Sequence, residues 1–104
     1  MFIGKVVGTV VSTQKDEGLK GFKLLVARGL DPATGKIGAS YVVACDAVGA
    51  GDDDVVLIVA GSSARLTAAT KEKPVDAAIV AIVDHVEVEG KRTYEKFPAT
   101  ATAR

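Results

Sequence analysis

The stretch Phe2-Ile3-Gly4-Lys5-Val6-Val7-Gly8-Thr9-Val10-Val11-Ser12 decides the fold class. It is dense in Val and Ile, and β-branched side chains pack well on a pleated surface and poorly in a helix. Four more segments repeat the pattern: 22–28 (FKLLVAR), 41–45 (YVVAC), 55–60 (VVLIVA) and 75–83 (VDAAIVAIV). Turn-formers separate them: Lys15 to Gly18, Asp31 to Gly35, Gly49 to Asp52 and Lys71 to Pro74. Asp31-Pro32-Ala33-Thr34-Gly35 predicts a hairpin turn between the second and third strands, with Pro presetting φ and Gly supplying a positive one.

Ser62 or Ser63 can N-cap a helical turn or two through Ala64 to Ala69, a stretch without a β-branched run. Residues 86–94 alternate around Glu89-Gly90, which predicts a small edge hairpin blunted by its Glu, Lys and Arg charges. Pro98 to Arg104 has no periodicity and is expected to be a disordered tail. The fold expected is mainly β: a small five-stranded OB-like antiparallel barrel with one short helix and a C-terminal edge hairpin and tail. Residues 1–97 form its single domain. Alternation puts Val6 and Val10, then Phe22, Leu24 and Val26, then Tyr41, Val43 and Cys45 on the inward face.

Composition bounds the function. A chain of 104 residues hides only roughly 65% of the surface its unfolded form exposes. Yet 48% of the residues are apolar, and the fourth and fifth strands are apolar on both faces. Something must cover the outside, and a partner surface is the expected cover. Thirteen basic and thirteen acidic residues balance to zero net charge, with no basic cluster. That argues against nucleic acid or an anionic membrane as partner, since phosphate affinity comes mostly from clustered cations. One Cys and one His can form neither an internal disulfide nor a tetrahedral zinc site. No apolar run approaches a membrane span, and the N-terminus lacks a signal-peptide pattern.

The search for chemistry returns little. Cys45 lies inside an apolar strand, as a structural thiol does. His85 follows Asp84, and adjacent strand residues point to opposite sides, so the acid is badly placed to orient the imidazole. Asp52-Asp53-Asp54 opens like a calcium loop, but Leu57 and Ser63 stand where Gly and Glu are needed. Val48-Gly49-Ala50-Gly51 has neither a P-loop nor a dinucleotide fingerprint. Gly61-Ser62-Ser63-Ala64-Arg65 can be read as an anion-holding turn, or as an ordinary cap whose Arg65 pairs with an acid such as Asp46 across an interface. No enzyme and no cofactor or metal is expected.

Taken in order, these segments resemble a known family. Gly8 to Lys15, Leu19 to Leu25, Asp46 to Gly51, Gly61 to Arg65 and Pro74 to Asp84 are similar to the EutN/CcmL proteins over roughly residues 1–88. The resemblance implies an OB-like barrel that assembles into a homopentamer and caps the five-fold vertices of a bacterial microcompartment (carboxysome-like) shell. The shell would lie in the bacterial cytoplasm, enclose metabolic enzymes and be tiled mainly by hexameric proteins. Carried over by motif, Asp46, Val48, Gly49, Ala50, Gly51, Ser62, Ser63, Ala64 and Arg65 are expected at the subunit interface or the axial pore. Asp52-Asp53-Asp54 departs from the family's usual Gly-Glu, and Ala81 stands where Gly is frequent. The alternative is an OB-like binding module for a small ligand or single-stranded nucleic acid.

Overall fold

Strand β1, Phe2–Val10, is the seam on which a barrel closes. It pairs antiparallel with β2, Lys23–Leu30, along one edge, and through Phe2 to Lys5 with β4, Val55–Ala60, along the other. β2 continues to β3, Ile37–Asp46, and β4 to β5, Ala77–Ile82. Cys45 beside Ala78 and Asp46 beside Ile79 then join β3 to β5 in parallel, completing the order β1-β2-β3-β5-β4. The structure is a computed structural model that describes residues 1–97, so the expected tail, 98–104, lies outside the described residues. The mainly β, five-stranded OB-like barrel is present as the sequence predicts. Its single parallel pair is a matter of parity: an odd number of strands cannot alternate direction all the way around a closed ring.

The barrel interior holds Val6, Leu25, Ala27, Ala44, Val56, Ile58 and Ile79. This corrects the expected faces on β2 and β3. Phe22, Leu24 and Cys45 instead belong to a second cluster outside the sheet, under Ala64, Val75 and Ala78, while Tyr41 is 65% exposed. On β1 the expected face fails at Val10, because a bulge at Val7 shifts the register between Val6 and Gly8. Val6 opposes the inward Ala27, but beyond the bulge Val10 opposes the outward Leu24, so the parity reverses. Both faces being apolar, side-chain character could not reveal the reversal. The lumen takes alanines because five strands enclose little space.

The segment between β4 and β5 is the cover of that second cluster. Its helical part is a five-residue 3-10 turn, Gly61–Arg65, rather than a helix over 64–69. Ser62 and Ser63 are not its N-caps: Ala60 takes that position without a side-chain hydrogen bond. Thr67 then closes the next turn, accepting from the Thr70 amide at 3.0 Å and sharing a 2.6 Å bond with the Thr70 hydroxyl. A second 3-10 turn, Glu17–Leu19, follows Asp16, whose carboxylate accepts from the Gly18 amide.

The predicted C-terminal hairpin is formed by β6, His85–Val88, and β7, Lys91–Glu95. Glu89 and Gly90 both have positive φ, the two-residue turn that matches strand twist. The hairpin is docked on the barrel. The Thr93 hydroxyl donates to the Pro32 carbonyl at 2.7 Å, and Lys96 reaches Asp54 at 3.5 Å. No helix among the described residues is long and apolar enough to cross a membrane.

Candidate functional site

Asp46 ends β3 and organises the first motif. Its side chain is only 2% exposed. One carboxylate oxygen accepts from the Val48 and Gly49 amides at 3.0 and 3.1 Å; the other faces the Lys23 ammonium at 3.5 Å. Lys23 is the cross-strand partner of Asp46, and its Nζ also donates to the Ala50 carbonyl at 2.5 Å. The loop is thereby gripped from both sides. Gly49 has φ +81°, a left-handed conformation that a side chain would strain. Ala50 is fully buried in the barrel cluster, while Val48 is 40% exposed.

Two of the three aspartates that follow are engaged. Asp54 accepts from the Gly51 amide at 2.9 Å and faces Lys96; Asp53, at φ +67°, faces Lys5 at 3.7 Å. Among the described residues no three His, Cys, Asp or Glu side chains gather as a metal site. His85 is exposed at the start of β6. Burial, and secondarily the Asp46 charge, push the Cys45 thiol up from its ordinary value, which disfavours the thiolate a nucleophile needs.

In the second motif, Ala64 is buried and Ser62, Ser63 and Arg65 are exposed. The Gly61 amide donates to the Asp76 carbonyl at 2.7 Å, and Arg65 Nη1 donates to the Val75 carbonyl at 3.2 Å. Leu66 then stands 82% exposed. Arg65 and Asp46 do not meet within the chain, and Asp46 has both oxygens engaged. An intersubunit pair for Arg65 therefore needs a different acid, or a share of this one.

The two motifs come together through the residues beside them. Ala47, Val48, Thr67, Ala68, Ala69 and Val80 line a cavity of about 230 Å³. Small side chains and the exposed Val48 and Leu66 give this side of β5 an apolar surface with no charged group lining the cavity. Sequence reasoning missed Lys23, because its partner is visible only once the β2–β3 register is known. It also missed Thr67 and Thr70, although their spacing matches the side-chain-to-backbone turns that Thr favours.

The comparisons with known proteins agree along nearly the whole chain. A family model described as "Ethanolamine utilisation protein EutN/carboxysome" matches residues 1–84. The carboxysome shell vertex protein CcmL of Synechococcus elongatus is 52% identical over 96 residues, covering 92% of this chain and 96% of its own length. The solved structure of CcmL from Gloeobacter violaceus superposes with a TM-score of 0.88 at 44% identity, covering 94% of this chain and 100% of that one. A pentameric microcompartment shell protein, GrpN from Rhodospirillum rubrum, superposes at 0.76 with 46% identity, covering 85% and 99% of the two chains.

Proposed function

The chain belongs to the EutN/CcmL family, and on that premise we propose its function. It is a structural protein of a bacterial microcompartment shell, forming homopentamers that cap the five-fold vertices of the polyhedron enclosing metabolic enzymes. Its place is in that shell, within the bacterial cytoplasm. The observation that carries the reading is the fit of the barrel to the pentameric shell protein GrpN at 46% identity over 85% of the chain.

Residues 1–97 act as one unit in this reading, and the unit has no catalytic role. Hexameric shell proteins are its neighbours, because a flat hexagonal sheet closes only where pentagons replace hexagons. Neither nucleic acid nor a membrane is a partner; the balanced charge supports this. Val48, Gly49, Gly51, Ser62, Ser63 and Arg65 belong to the subunit interface or the axial opening, and Asp46, Ala50 and Ala64, buried beneath them, hold the two motifs in place. Support comes from the exposed Val48 and Leu66 and from the small residues between the motifs, which let a neighbouring backbone approach. Native mass spectrometry at micromolar concentration should return one species of five chains. A stable monomer there would overturn the reading.

A further inference from the structure

The parallel contact that closes the barrel involves only Cys45 and Asp46 of β3. Ahead of it, β3 from Ile37 to Ala44 is paired with β2 alone among the described residues. This edge reads IGASYVVA, with no charge or proline of its own, and Gly38, Ala39, Ser40 and Tyr41 are exposed; Arg28 of β2 donates to the Gly38 carbonyl at 2.8 Å and lies over the Tyr41 ring. Its outward N–H and C=O groups are a template for another strand. A cavity of about 510 Å³ lies against the start of β3, lined by Phe2, Ile3, Leu30 and Ile37, with Gly38 to Ser40 as its small-residue wall and Asp31 and Lys36 at the turn.

A second edge lies on the opposite side of β2. β1 pairs with β4 only as far as Lys5, and Val6 exchanges backbone bonds with Asp53 and Asp54. From Gly8 to Val10 it has β2 on one side and no strand on the other among the described residues. The chain itself carries no charge from Val6 through Ser12, whose carbonyl accepts from the Lys15 ammonium at 3.0 Å, and Val11 is 86% exposed. The hairpin edges differ: Glu87, Lys91, Arg92 and Glu95 guard them with charge.

We propose that these two edges meet between copies of the chain, the β3 edge of one subunit receiving the β1 end, Gly8 to Ser12, of the next as an added strand. The occupant is a second copy for a reason of symmetry. A ring repeats one head-to-tail contact, so each subunit must present two different patches, and an edge pairing with its own twin would close a dimer instead. The two edges are unlike, neither strand carries a charge along them, and they flank β2 on opposite sides, beside Leu25 to Leu30 and beside Leu24 to Val26. The inference rests on the pentameric reading above and adds where and how the seam forms.

The test combines assembly and amide exchange on the intact chain. Ala39→Lys and Val11→Lys each place a charge on one edge without touching the core, and Lys71→Glu, exposed and remote, is the control. Both edge variants should stay folded by circular dichroism while the protein concentration for half-assembly rises about tenfold or more. In the wild-type ring, amides within 38–44 that have no β2 partner should exchange slowly, and in the dissociated edge variants quickly. Edge variants that assemble like the control, or free β3 amides that exchange within seconds inside a wild-type pentamer, would overturn this seam and leave the pentameric function standing. A monomeric wild type would overturn both.

Discussion

Asp46 assigns its two oxygens different tasks, and the difference fixes what its loss should do. The Lys23 ammonium stays half in water, so the ion pair itself adds little. The weight lies in the amides of Val48 and Gly49, which hold the loop against the barrel end through a nearly inaccessible carboxylate. Asp46→Ala should therefore destabilise the fold by about 1–3 kcal/mol. Asp46→Asn, whose amide oxygen still accepts, should recover most of it. Urea unfolding at one fixed chain concentration measures both, and an alanine variant as stable as wild type would remove the role. Asp46 was legible in the sequence as a residue of the first motif, but its partner Lys23 was not. The residue scale is also where the face of Val10 was misassigned, since one bulge at Val7 reverses the parity of everything after it on β1. Nothing in Val6-Val7-Gly8 says which of the adjacent valines is the extra one.

At the scale of elements, the β6–β7 hairpin shows a boundary between what pattern reveals and what it conceals. Alternation and the Glu89-Gly90 turn were enough to predict it; where it docks depends on contacts far away in sequence. Gly35, in the β2–β3 turn, has φ +73°, and a Cβ there would stand 2.6 Å from the Thr93 carbonyl oxygen. The glycine therefore serves the turn and the docked hairpin at once. Tyr94 reports on that docking. Burial, with Asp54 and Asp84 adding and Lys96 opposing, raises its phenol above the ordinary value of 10.0. A folded state that binds this proton more tightly than the unfolded one is fully supported below pH 10 and loses that support as pH rises through the folded pKa. Melting temperature should accordingly fall above pH 10, and more shallowly in Tyr94→Phe. Identical pH profiles for the two proteins would mean that Tyr94 ionises without consequence for the hairpin.

Across the whole molecule, an apolar fraction of 48% has to be reconciled with one small barrel. Part of the surplus is internal after all. The segment from Gly61 to Val75 lays Ala64 and Val75 over Cys45 and Ala78, so the outer face of β3 and β5 is covered by the chain's own cross-connection. A demand for cover was legible in the composition, but the division between self and neighbour was not, because a cover with so little regular structure leaves no periodic trace. Among the apolar side chains that stay outside are Val7, Val11, Tyr41, Val43, Val48 and Leu66, spread over more than one side of the barrel as a ring subunit requires. If burying those side chains contributes to folding, then unfolding and dissociation are coupled, and stability must depend on concentration. For five chains released per ring, a hundredfold rise in concentration stabilises each chain by about 2 kcal/mol through mass action. In a domain of this size that is a melting temperature higher by on the order of 10 °C. Calorimetry at 1 and 100 μM, about two decades apart, reads it directly. A melting temperature independent of concentration would mean that the barrel is stable alone and that its exposed valines serve recognition without supporting the fold.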